Sequence, residues 1–287
     1  MQRFDCHIHL DPGVVQQSDL LGKMRSAGIS GGILISIPPP SFVKLCQPHP
    51  TGERLDNLMQ WVEGAPDLHP FYWIDPLEED ANEQVELAVR RGVHGFKVIC
   101  NRFYPGDERP MAVFTKIAQA RMPLLFHSGI LWDGEASSRY NRPVEFEALI
   151  YIPGLKFALA HISWPWCDEL IAVYGKFQNA HSRDASLAIE MFIDMTPGTP
   201  PIYREEALTR LFTVGYDVNR NVLFGTDCTA NDYNQAWVRK WINNDDAIYK
   251  KLGLDVSTLK GIYSGNLLRF LDTAPANPEF IKLCAAE

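Results

Sequence analysis

Short apolar runs, each closed by polar or turn residues, recur along the chain and begin near residues 3, 32, 68, 94, 122, 155, 186 and 221. Several are continuous rather than alternating, as in Met122-Pro123-Leu124-Leu125-Phe126, which predicts parallel strands buried on both faces. Between most of them lie segments, including residues 79–91, 112–121 and 207–214, that mix apolar and charged positions at helical spacing. The alternation predicts eight β-α units in an α/β fold, arranged as a closed (β/α)8 TIM barrel or as an open doubly wound sheet. The sixty residues after Asp227 are expected to supply the eighth helix and one or two extra C-terminal helices packed on the outside. With no composition shift and no Gly/Ser-rich linker, residues 1–287 read as a single domain.

Four of these runs stop at residues able to bind metal. In Arg3-Phe4-Asp5-Cys6-His7-Ile8-His9-Leu10 the alternation of a strand points His7 and His9 the same way, a half-site for a metal ion. The runs near 122, 155 and 221 end at His127, His161 and Asp227. In a barrel of parallel strands all carboxyl ends open on one face, so these five residues would converge there, which favours the barrel over the open sheet. Asp5 shares the nominal parity of His7 and is read either as a partner of the ligating imidazoles or as a structural hydrogen bonder. Gly95, Lys97 and Ile99 share a face that would put the lysine ammonium inside the barrel mouth.

The motifs Asp5-Cys6-His7-Ile8-His9, Gly95-Phe96-Lys97, Leu124-Leu125-Phe126-His127-Ser128-Gly129, Lys156-Phe157-Ala158-Leu159-Ala160-His161 and Leu223-Phe224-Gly225-Thr226-Asp227 occur in this order over nearly the whole chain. Together they resemble the metal-dependent amidohydrolase superfamily of (β/α)8 fold, in the branch with small hydrolases, lactonases and nonoxidative decarboxylases. Gly265-Asn266-Leu267-Leu268-Arg269-Phe270-Leu271 resembles that family's Asn-initiated last helix. The resemblance implies that His7, His9 and His127 are metal ligands and that Asp227 is a fourth ligand, the proton acceptor for water, or both in turn. It leaves His161 polarising the substrate carbonyl, acting as an acid, or binding a second ion. One divalent ion is preferred, zinc first and manganese next. Binuclear relatives carry a carboxylated, bridging lysine on the strand of Lys97; the plainer reading here is an unmodified lysine paired with an acid, with Lys97 and His161 joining the metal shell only in a binuclear site.

Three functions remain open. The first is hydrolysis of an amide, lactone or ester carbonyl by activated water; the second is nonoxidative decarboxylation of an aromatic or unsaturated acid; the third is a catalytically silent binding barrel. The intact His7-x-His9 pair and a short loop after the first strand favour hydrolysis. Loops after the strands carry Trp132, Arg139, Arg142 and Trp164, with Arg102, Arg109 and Trp166 nearby, which predicts a small acidic, cyclic or aromatic substrate. Glu190 and Asp194 are reserve acids. His49, His69, His94 and His181 read as surface or packing residues, and Cys100 and Cys228 as small buried hydrophobes.

Composition narrows the classes further. With 46% hydrophobic and 22% charged residues and a net charge of -8, the chain is globular and lacks a basic block for nucleic acid or anionic membranes. Six scattered cysteines without a Cys-x-x-Cys pair point to reduced thiols and a cytoplasmic protein. No apolar stretch reaches the roughly 18 residues of a membrane span. A small-molecule substrate is the expected partner, and a homo-oligomer is the default assembly.

Overall fold

A computed structural model describes residues 1–271; Cys284 and the end of the expected 1–287 domain lie outside the described residues. Nine strands form one sheet: β1 (Phe4–His9), β2 (Gly31–Ile35), β3 (Leu68–Trp73), β4 (Gly95–Val98), β5 (Leu124–Phe126), β6 (Lys156–Leu159), β7 (Glu190–Asp194), β8 (Val222–Leu223) and β9 (Cys228–Thr229). All the pairings are parallel, in the order β8-β7-β6-β5-β4-β3-β2-β1-β9. β8 and β9 are two halves of one interrupted eighth strand. The first half pairs with β7 and the second with β1, and across the break Cys6 N donates to Phe224 O at 2.9 Å and Asp227 N to His7 O at 3.0 Å. The sheet therefore closes into a barrel.

Around it lie α1 (Gln17–Ala27), α2 (Thr51–Val62), α3 (Ala81–Arg90), α4 (Glu108–Gln119), α5 (Cys167–Arg183), α6 (Pro201–Thr213) and α7 (Gln235–Leu252), followed by the short α8 (Val256–Lys260) and α9 (Asn266–Leu271). The connection after β5 holds only the 3-10 segments Ser138–Asn141 and Pro143–Tyr151. The strand expected near residue 186 begins at Glu190. Ahead of it Ala185–Leu187 form a 3-10 turn whose second amide is bound by Asp184, Ser186 N donating to its carboxylate at 3.0 Å. Among the described residues the cysteines are free, and no helix is long and apolar enough to cross a membrane.

Apolar side chains fill the barrel interior, among them Phe4, Ile33, Phe71, Leu125, Phe192 and Leu223. Gly95 is required here, since a Cβ would meet the Phe71 ring at 2.4 Å. The last helix departs from the expectation of an external position. Leu267 and Phe270 of α9 join the interior cluster, the Phe270 ring lying 4.9 Å from Phe192, and the side-chain amide of Asn266 donates to Asn219 O and Val222 O at 2.9 and 2.8 Å. α9 thus plugs the amino end of the barrel, because Phe270 and Leu267 bury more apolar surface in its open floor than on a helix ring already filled. The carboxyl end is left as the open face.

Candidate active site

A register shift in β1 between Asp5 and Ile8 breaks the simple alternation. Cys6 packs inside the barrel, Ile8 in the outer layer, and His7 turns toward the mouth. Asp5 consequently points away from the imidazoles. It accepts hydrogen bonds from His7 N (3.1 Å), Thr226 N (3.0 Å), Thr226 Oγ1 (2.5 Å) and Tyr233 Oη (2.9 Å), so its role is to tie β1 to the break in the eighth strand. Thr226 O in turn accepts from the Trp237 indole at 3.0 Å. Both flanks of the peptide before Asp227 are therefore fixed, and Asp227 itself is held in a left-handed backbone conformation at φ 60°.

His7 Nε2 lies 3.2 Å from His9 Nε2 and 3.6 Å from Asp227 Oδ1, and His9 Nε2 lies 3.4 Å from the same oxygen. Three lone-pair atoms converge on one point. Such spacing suits ligands each roughly 2.1 Å from a shared ion, and a pair of imidazoles with a carboxylate is the donor chemistry of zinc or manganese. His161 joins the group: a nitrogen of its ring, one of His7 and an Asp227 oxygen lie within 4.8 Å of one another. His127 stands next to His161, ring centres 4.9 Å apart, with its Nε2 3.2 Å from Ile130 O. A carbonyl can only accept, so that nitrogen carries the proton and Nδ1 is the ligand atom left.

Asp194, held in reserve from the sequence, sits directly behind the site. Its Oδ2 is 2.7 Å from His7 Nδ1 and its Oδ1 accepts from Thr196 N at 2.7 Å. The proton of His7 is thereby fixed on Nδ1 and the Nε2 lone pair faces the cleft. Burial would raise the Asp194 carboxyl, but the contact with His7 prevails and holds it at about 2. Burial, reinforced by the neighbouring Lys97, drives His7 down to about 3; burial also lowers His127 and His161. These imidazoles are neutral at physiological pH, the form that binds metal. Desolvation opposes ionisation of Asp227, yet its hydrogen bond with His9 and the flanking His7 and His161 keep it well below the usual carboxylate range. Lys97 is fully buried with Nζ 3.1 Å from His7 Nε2, and burial lowers it to about 8 against the pull of Asp194 and Asp227.

Above this floor opens a cavity of about 750 Å3, into which His7, His9, Lys97, His127, His161 and Asp227 all face. Of the residues expected to bind substrate, Trp132 and Trp164 line it; Arg139 and Arg142 do not. Arg142 is drawn off by Glu169 at 2.5 Å and Arg139 by the Tyr140 hydroxyl at 2.7 Å, while Arg102 pairs with Asp75 at 2.6 Å and Arg109 with the Glu78 carbonyl at 2.8 Å. A guanidinium in a loop finds the nearest acceptor, which here lies outside the cleft. Sequence reasoning also missed the wall formed by Phe42, after β2, and Trp73, at the end of β3, whose rings are 4.9 Å apart. The signal for Asp194 was available: Met191-Phe192-Ile193-Asp194 is another apolar run that stops at an acid.

No curated protein matches the chain in sequence. Among solved structures it is similar to a zinc-bound amidohydrolase from Burkholderia multivorans (TM-score 0.63, 12% identity, covering 96% of this chain and 100% of that one). It is also similar to 4-oxalomesaconate hydratase from Rhodopseudomonas palustris (TM-score 0.60, 14% identity, 99% and 98% covered) and to dihydroorotase from Campylobacter jejuni (TM-score 0.58, 16% identity, 95% and 83% covered). At these identities the likeness speaks for the fold. The amidohydrolase family model, by contrast, matches residues 4–273, a span that contains every residue of the site above. The chain belongs to the amidohydrolase family and is an enzyme of the amidohydrolase superfamily.

Proposed function

We propose that this chain is a metal-dependent hydrolase that adds water to the amide, lactone or ester carbonyl of a small molecule. The observation that carries the reading is the convergence of His7 Nε2, His9 Nε2 and Asp227 Oδ1 within 3.2–3.6 Å at the floor of the cavity. One divalent ion, zinc before manganese, would be held by His7, His9 and Asp227, with His127 beside them. When bound, it supplies Lewis acidity that polarises the carbonyl and brings water within reach of deprotonation at neutral pH.

The protein's own groups do the rest. Asp227, ionised and at the cleft floor, takes the proton of the attacking water and returns it to the leaving group. His161 lines the cavity beside His7 and Asp227, which suits it to steady the oxygen on which negative charge develops. Asp194 holds His7 in register, and buried Lys97 offsets the two carboxylates. The test is to load the protein with zinc and follow proton release on lactones and esters, amine release on amides and carbon dioxide release on aromatic acids. Proton or amine release that falls by about 10²- to 10⁴-fold in Asp227→Asn supports the proposal. Carbon dioxide release from an aromatic acid without hydrolysis of any carbonyl compound contradicts it.

A further inference from the structure

The cavity discriminates by charge through what its walls lack. Among the described residues no arginine lines it, and its two lysines are both engaged. Lys97 is fully buried at the floor, with its Nζ 3.1 Å from His7 Nε2 and close to the carboxylates of Asp194 and Asp227. Lys44, on the loop after β2, is paired at the rim with Glu135 on the loop after β5 and donates to Asp133 O at 3.4 Å. The remaining charged groups of the lining are acids, Asp11 and Asp133 near the mouth and Asp227 at the floor. Away from the histidine floor, the walls therefore offer an anionic substrate group no free cation to pair with, only acids and apolar side chains.

The same two loops present apolar side chains to the cavity. Val43 and Leu45 are each 62% exposed and Trp132 is 80% exposed, although they line a cleft rather than the core. Deeper in, Phe42 and Trp73 continue this apolar side down to His9, whose ring lies 5.6 Å from that of Trp73. Exposed apolar residues that lead from a rim to reacting groups are what an apolar substrate portion would cover.

Resting on the hydrolase reading above, we infer that the substrate is uncharged and carries an apolar substituent that lies between the β2 and β5 loops, with its carbonyl at the histidine floor. Leu45 and Trp132 are then specificity-determining residues, and the Lys44–Glu135 pair closes the rim over the substituent instead of binding an acid.

The experiment uses the purified protein and cyclopentanones, carbocyclic analogues of γ-lactones that cannot be hydrolysed, bearing alkyl chains of increasing length or the same chains ending in a carboxylate. Binding is read from tryptophan fluorescence. The alkyl series is expected to tighten by roughly fourfold per methylene over the first few carbons and to bind at least about tenfold better than its carboxylate counterparts. Leu45→Arg, at an exposed position, is expected to erase that preference by placing a free cation at the rim. Equal or tighter binding of the carboxylates by the parent protein, no dependence on chain length, or no binding of either series overturns the inference. Turnover of the matching lactones, esters and amides separates the two claims. Alkyl preference without turnover of any matching lactone, ester or amide rejects the hydrolase reading and leaves the apolar site standing; turnover without alkyl preference does the reverse.

Discussion

Asp194 decides which nitrogen of His7 faces the cleft, and it does so from full burial and at 2.7 Å. Replacing it with asparagine keeps the shape and an acceptor for Thr196 but removes the charge that fixes the imidazole. Metal affinity of Asp194→Asn is expected to fall by about 10- to 100-fold with the fold retained, as measured by competition with a chromophoric chelator. An unchanged affinity would mean that His7 is oriented by its backbone alone. The principal residues of the site were legible because an apolar strand that ends on His or Asp is a local pattern: His7, His9, His127, His161 and Asp227 all line the cavity. Asp5 was misplaced for a physical reason, since parity counting presumes an unbroken strand and β1 carries a register shift. The arginines were misplaced because a long side chain's partner depends on which neighbouring element supplies a carboxylate, and Glu169 on α5 is invisible to a reading of the loop.

At the scale of elements, β3 and β4 bring His69 and His94 together at the amino end of the barrel, Nδ1 to Nδ1 at 3.1 Å. Burial, with His94 adding to it and Asp67 opposing, lowers His69 to about 4 from an ordinary value of 6.5. The unfolded chain therefore takes up its proton first as pH falls. Relative to His69→Gln, the parent is expected to lose stability progressively from about pH 6.5 toward pH 4 and to differ by a constant amount above that window. Urea unfolding at a series of pH values measures this, and parallel curves for the two proteins would refute it. The plug formed by α9 gives a second expectation. Phe270 is fully buried against Phe192 and Phe71, so Phe270→Ala should cost about 3–5 kcal/mol, read by denaturant unfolding. A loss below 1 kcal/mol would show that the barrel floor holds without the helix. Most elements could be read from hydrophobic periodicity. The start of β7 could not, because Leu187 and Ile189 extend its apolar run backwards through a turn that only the Asp184 hydrogen bond reveals.

For the whole molecule, closure is what turns scattered residues into a site. The choice between barrel and open sheet rests on the pairing of β9 with β1, a contact between residues about 220 positions apart that no local pattern encodes. That pairing sets Asp227 beside His7 and His9, and the bulge in β1 aims His7 at the same point. The plugged amino end and the open carboxyl end then leave one face for chemistry. The central claim is that this convergence holds a divalent ion. Its most direct test is elemental analysis of the protein purified without chelator or metal-affinity resin, beside His7→Ala. About one equivalent of zinc or manganese in the parent, lost in the variant, is the expected result. A parent that retains no ion, even after zinc or manganese is added, would contradict the account.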